Sequence, residues 1–150
     1  MNKQVNILNK KAKFEYQLID QYKAGIVLTG TEIKSIRLNK ASISESFCEF
    51  NDNQELFIIN MFIDEYEFGN HYNHNTKSQR KLLLNKKELK KLNKDVKNTG
   101  LTIIPLKVFI NEKGFAKVLI SLAKGKKTYD KRQVIKEREN KINLDRLKKI

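Results

Sequence analysis

From Phe14 onward, apolar residues recur at every second position: Phe14, Tyr16 and Leu18, then Ala24, Ile26 and Leu28. This spacing puts their side chains on one face of an extended chain, so it predicts half-buried strands. Lys23-Ala24-Gly25 lies between the two groups, where a glycine eases a bulge or a sharp bend. The period then changes. Ile33 and Ile36 fall at helical spacing, Thr29 or Thr31 can cap the start, and the cations come late, where the helix dipole favours them. A short helix follows, with Glu32, Lys34 and Arg37 on its outer side. Alternation returns over residues 41–50 and 55–63 on either side of Asn51-Asp52-Asn53, which predicts a hairpin.

Residues 66–75 have no period and are dense in aromatics, asparagine and histidine, as in an exposed irregular loop. After a short apolar stretch over 80–84, Asn85 precedes an amphipathic run with Glu88 in its first turn, and Gly100 marks its end. This predicts a capped helix. Leu101–Ile110 and Phe115–Leu122 read as strands joined by Asn111-Glu112-Lys113-Gly114, a second hairpin. Pro105, the only proline, falls inside the first of them and calls for an edge or a bulge there. Around six short strands and two short helices predict a mainly-β fold, an OB-like antiparallel β-barrel with peripheral helices and a basic C-terminal tail. The barrel should occupy residues 14–123. Residues 1–13, with Val5, Ile7 and Leu8 isolated among Asn and Lys, read as a flexible basic N-terminal arm.

Charge sharpens this picture. The 150 residues carry 31 basic against 17 acidic side chains, a net charge of +14 with a pI near 9.8, and so call for a polyanionic partner. Only five of the cations are arginines (Arg37, Arg80, Arg132, Arg138 and Arg146), which marks those positions for planar or bidentate contacts. Residues 123–150 hold eleven basic and four acidic residues, a net of +7, so half of the charge sits in the last 28 positions. Apolar residues are sparse there. The tail, 124–150, is therefore expected to be disordered when free and helical on a charged partner.

Cys48 is the only cysteine, which excludes an internal disulfide and a cysteine-based zinc site. With Phe47 and Phe50 beside it, it reads as a half-buried strand position in a reducing compartment. No apolar run has the length of a signal peptide or of a membrane span. A cytoplasmic protein with no membrane partner is expected. His71 and His74 are three apart, but their only close carboxylates are Asp64, Glu65 and Glu67. They suit stacking on unpaired bases and bonding to sugar hydroxyls better than ligation of a metal. No carboxylate cluster, Walker A loop, GxGxxG turn or nucleophile elbow is present. The expectation is no enzyme, no catalytic residue, no metal and no cofactor.

The runs Asn9-Lys10-Lys11-Ala12, Ala24-Gly25-Ile26-Val27-Leu28, Gly30-Thr31-Glu32-Ile33-Lys34-Ser35-Ile36-Arg37, Arg80-Lys81-Leu82-Leu83-Leu84 and 123–132 resemble, in order and spacing, those of the small protein B (SsrA-binding) family. The resemblance runs from about Asn9 to the C-terminus. Ile33 and Ile36 stand where valine and leucine are more usual, and Tyr129 stands where the family often has an aromatic residue or histidine. The resemblance implies an adaptor of trans-translation, which binds the tRNA-like domain of transfer-messenger RNA and delivers it to stalled ribosomes for rescue and tagging of the nascent peptide. The implied partners are that RNA, the ribosome at its decoding region and mRNA channel, and an elongation factor through the shared RNA.

The residues expected to face RNA are Glu32, Lys34 and Arg37, the loop residues Asn70, His71 and Tyr72, and Lys124, Lys126 and Lys127. In the tail, Lys131 and Arg132 can meet ribosomal phosphate, Tyr129 can stack on a base, and Asp130 can fix an arginine or accept from a base edge. Two other classes stand beside this one: a general OB-type RNA chaperone, and a metal-dependent nuclease. The element Tyr129-Asp130-Lys131-Arg132 separates the first pair, since a general single-strand binder has no need of a charged aromatic motif at a tail's root.

Overall fold

The period-two runs close into a barrel in the computed structural model, which describes residues 5–69, 73–97 and 100–126. Its strands are β1 (Asn6–Leu8), β2 (Tyr16–Ile26), β3 (Ala41–Ser42), β4 (Phe47–Phe50), β5 (Leu56–Ile59), β6 (Phe62–Ile63), β7 (Arg80–Leu83), β8 (Leu101–Ile110) and β9 (Ala116–Gly125). The helices among the described residues are α1 (Ala12–Glu15), α2 (Gly30–Arg37) and α3 (Lys86–Val96). β8, β4, β5, β7, β2 and β9 are neighbours in that order, and β8 pairs with β9 to shut the ring. All of these pairings are antiparallel. The fold is thus the mainly-β, OB-like barrel expected, and the β8–β9 pairing closes it into a ring. β3 and β6 form a separate ribbon.

Inward positions fill the barrel with Tyr22, Ala24, Cys48, Ile58, Leu82, Ile103, Val108, Val118 and Ile120, and Ile36 and Leu92 add the apolar faces of α2 and α3. Cys48 is deeper than expected, only 4% exposed, because its position on β4 points inward between Ile58 and Ile103. Asn85 caps α3 as expected, its side chain accepting from the Glu88 N–H. Both hairpins close by one device. Asn51 Oδ1 accepts from the N–H groups of Asn53 and Glu55 at 3.0 and 2.9 Å, and Asn111 Oδ1 accepts from those of Lys113 and Phe115 at 3.1 and 2.8 Å. The chain then passes through the left-handed region, at Gln54 (φ 61°) in the first and Gly114 (φ 86°) in the second.

Four expectations change. The N-terminal segment is not a loose arm over its described part. Val5 and Ile7 are two apart and both buried, and residues 6–8 pair with 107–109 along the edge of β8 that β4 leaves free. Phe14 belongs to α1 rather than to a strand; that turn forms because buried Ala12 packs on Ile104 and Ala123. The runs on either side of Gly25 are one eleven-residue strand, and the irregularity against β9 falls between Leu18 and Asp20, leaving Ile19 as the extra residue. β9 continues to Gly125, so Lys124 belongs to the barrel wall rather than to the tail. Pro105 behaves as expected: the β8–β9 register shifts between Pro105 and Lys107, making Leu106 a bulge.

Candidate nucleic-acid interface

Helix α2 is built around its first turn. Thr29 Oγ1 accepts from the Glu32 N–H at 3.4 Å, and the Thr29 N–H donates to Glu32 Oε1 at 2.9 Å. This capping box satisfies donors that the helix would otherwise leave unpaired. The other carboxylate oxygen of Glu32, Oε2, accepts from Nε of Arg80 in an ion pair whose side chains are only 5% and 2% exposed. The rest of the guanidinium is also engaged. Nη1 donates to the Met61 carbonyl at 2.6 Å, and Nη2 donates to those of Asn75 and Thr76 at 3.0 and 3.3 Å. One arginine therefore ties α2 to the β5–β6 connection and to the end of the irregular loop. Its rigid fork of donors suits this better than lysine's single ammonium.

The loop is fastened at two further points. His74 Nε2 lies 2.9 Å from the Ile63 carbonyl, which can only accept, so this nitrogen carries the proton. Nδ1 then accepts from the Thr31 hydroxyl at 2.9 Å, bridging the loop to α2. With both ring nitrogens bound to protein, neither is open to a metal. Asn73 clasps Tyr66 from both sides, accepting from its N–H at 3.0 Å and donating to its carbonyl at 2.6 Å. Gly69 passes so close that a Cβ there would lie 2.7 Å from Asn73 Nδ2 and 3.0 Å from Thr31 Cγ2.

What these ties present is a small cationic and aromatic surface. Lys34 Nζ stands 5.4 Å from the centroid of the Tyr66 ring, and Tyr66 meets Phe68 edge-on at 5.6 Å. Phe68 is 71% exposed, and Lys34 and Arg37 on α2 are exposed as well. The loop also exposes Asp64, Glu65 and Glu67, which favours phosphate contact on the α2 side and stacking or hydroxyl contact on the loop side.

The structure therefore keeps Lys34 and Arg37 where the sequence put them and moves Glu32. Its side chain is held inside by Arg80 and by its own helix start, so it positions the surface instead of facing outward. Lys124 and Lys126 are brought together at the far end of β2, where Tyr16 pairs with Gly125 and Gln17 with Lys124. There the Lys126 N–H donates to the Glu15 carbonyl at 3.0 Å, and its Nζ donates to that of Lys13 at 3.0 Å. Asn70, His71, Tyr72, Lys127, Tyr129, Asp130, Lys131 and Arg132 lie outside the described residues. Sequence reasoning missed the pairing of Arg80, although its type had marked it for inspection. The Thr-x-x-Glu box was the local signal for Glu32, but its partner 48 residues away left none.

Fold and surface together define an RNA-binding protein of the OB-like barrel class. The chain belongs to the SmpB protein family, whose match covers residues 6–150. The SsrA-binding protein of Flavobacterium psychrophilum is 69% identical over 149 residues, 99% of each chain. That of Agrobacterium fabrum is 48% identical over 141 residues, 94% of this chain and 88% of the relative. A solved structure described as "tmRNA-SmpB: a journey to the center of the bacterial ribosome" contains a chain that superposes with a TM-score of 0.69 at 44% identity, covering 83% of this chain and 86% of that one. Among the described residues no helix is long and apolar enough to cross a membrane.

Proposed function

We propose that this protein is the RNA-binding adaptor of trans-translation. It binds the tRNA-like domain of transfer-messenger RNA and delivers it to stalled ribosomes, where rescue and tagging of the nascent peptide follow. The observation that carries this reading is the α2–loop surface, locked from beneath by Glu32 and Arg80 and presenting Lys34, Arg37, Tyr66 and Phe68. A folded RNA is recognised by shape, phosphate and unstacked bases, and a preorganised face that mixes cations with aromatic rings meets those needs without ordering cost on binding. Membership of the SmpB family and the names of the relatives support the same partner. The protein works in the cytoplasm by binding, with no bond made or broken by its own side chains. Asn70, His71, Tyr72, Lys124, Lys126 and Lys127 also take part in RNA binding, and Tyr129, Asp130, Lys131 and Arg132 contact the ribosome.

Two measurements test this. The RNA that co-purifies from the native cells should be one abundant tRNA-like species; a broad mixture would favour a general RNA chaperone. Replacing exposed Arg37 with Ala should leave the fold intact and weaken binding of the tRNA-like RNA by about 1.5–3 kcal/mol, the usual worth of a charge-assisted hydrogen bond. Unchanged affinity would remove Arg37 from the interface.

A further inference from the structure

Charge is spread unevenly over the barrel. Of the 150 residues 31 are cations, yet among the described residues no lysine or arginine lines either of two adjoining hollows along β4. The smaller, about 100 Å³, lies between α1 and the turn before β4, and Asn9, Glu15, Tyr16, Glu45 and Phe47 are among its lining residues. The larger, about 340 Å³, lies between β4, α3 and the start of β8, and is lined by Phe47, Glu49, Phe50, Val96 and Leu101 among others. Phe47 lines both, so the two make one groove with three carboxylates and an apolar floor. Its α3 side is made by Asn93 and Val96 and by none of that helix's lysines. Lys11 reaches Glu45 at 3.3 Å from outside, both side chains being mostly exposed, and a pair of that kind contributes little and yields to another cation.

We propose that this groove seats the chain's own residues 127–135 in the free protein. Three features select this occupant. The first is where the described chain ends: Gly125 pairs with Tyr16, and the Lys126 N–H donates to the Glu15 carbonyl at 3.0 Å, so residue 127 starts beside two residues of the smaller hollow. The second is reach. Nine extended residues at about 3.3 Å each span roughly 30 Å, more than twice the roughly 13 Å of the four-residue strand β4 that the groove follows. The third is complementarity. Lys127, Lys131 and Arg132 supply cations for Glu15, Glu45 and Glu49, and Val134 and Ile135 supply apolar side chains for the floor of Phe50, Val96 and Leu101. Asn9 Oδ1, buried and without a described partner, gives the smaller hollow an acceptor for a donor from the segment. The same carboxylates oppose a nucleic-acid strand here. Because the segment is tethered at the groove's edge, its effective concentration is of millimolar order and weak contacts suffice. The expectation of a tail disordered when free then applies beyond residue 135, and Lys131 and Arg132 stay covered until a stronger anion draws them out. The proposal needs only the barrel and its own tail, so it and the adaptor reading can fail separately.

The test uses the full chain carrying Gln133→Cys labelled with a nitroxide; buried Cys48 is left in place. Amide signals of residues 47–50 and 101–103 should broaden, and those of α2 and of Lys107–Phe109 should not. Exchanging Glu15, Glu45 and Glu49 together for Gln should lower the docked population about threefold, taking each exposed pair at the low end of its usual worth. Lys131→Glu with Arg132→Glu should abolish the broadening while leaving the barrel's own residues untouched, so a folding defect in the first variant cannot mimic the result. Absence of broadening in the parent, broadening centred on another face, or broadening unchanged in both variants overturns the proposal. So does broadening that appears only when labelled and unlabelled copies are mixed, since the occupant is then a second copy.

Discussion

Replacing Arg80 with Met should unfasten three segments at once. The change removes the guanidinium from a site where the pair is nearly inaccessible to solvent, so Glu32 Oε2 loses its only described partner while remaining buried. The carbonyls of Met61, Asn75 and Thr76 lose their donors as well. Removing one member of a buried ion pair costs about 3–5 kcal/mol, because the remaining charge is left uncompensated. A domain of this size has about 5–15 kcal/mol in total, so about a third of the stability should go and Tm should fall by about 10 °C. The assay is urea unfolding followed by far-UV circular dichroism. The loss should change little with added salt, since a buried pair is poorly screened. Arg80→Lys should recover part of it, because an ammonium keeps the charge and cannot reach every acceptor of the fork. Glu32→Gln combined with Arg80→Met should cost clearly less than the two single changes added together. A loss below about 1 kcal/mol for Arg80→Met, or strict additivity in the double variant, would refute the reasoning.

Cys48 should resist thiol reagents in the native protein and react only as the barrel opens, because burial pushes its thiol pKa up; fast native labelling would contradict its inward position. Burial, as the largest cause, also raises the pKa of Tyr22. In both groups the folded state keeps its proton longer, so their contribution is intact below the ordinary values of 9.0 and 10.0 and is lost as pH rises through the folded values. Urea midpoints should therefore fall from about pH 9 upward, less steeply in Tyr22→Phe. Gln54→Gly relieves a left-handed side-chain residue in the first hairpin and should stabilise by about 1 kcal/mol in the same assay. Gly69→Ala should push Asn73 and Thr31 apart and weaken tRNA-like RNA binding more than it lowers Tm; an unchanged affinity would show that the clasp does not shape the surface. Deleting residues 133–150 should leave affinity for the tRNA-like RNA nearly intact and abolish tagging on stalled ribosomes.

The strands were legible because half-buried walls impose a period of two that survives in composition, and the hairpins because Asn51 and Asn111 place a side-chain acceptor where a tight loop needs one. β1 was not, since three residues on a strand edge show only one alternation and their meaning comes from β8, a hundred positions away. The bulge at Ile19 was assigned to Gly25 for a related reason. A glycine marks where irregularity is cheap, whereas the register with β9 decides where it is needed. For the site, the exposed cations of α2 followed from helical spacing alone. Glu32 did not, because the same Thr-x-x-Glu box is compatible with an exposed carboxylate and with one that turns inward to an arginine. Only the contact with Arg80 decides between them.

The length of β2 connects the two ends of the molecule. Its last residues lead into α2, and its first residues pair with Lys124 and Gly125, where the tail departs. Eleven residues at about 3.3 Å each separate these ends by roughly 35 Å, and pairing with β9 from Tyr16 to Gly25 holds that separation. An adaptor needs this. If the α2–loop surface proposed to hold RNA and the root of the tail proposed to enter the ribosome could move independently, binding at one end would not orient the other, and the entropy of a flexible link would oppose each delivery. Lys126 extends the same constraint one step beyond the strand, since its N–H and Nζ are both bound to carbonyls of the α1 turn. The N-terminal segment, which composition alone presents as a loose arm, is thereby part of the frame that sets where the tail begins.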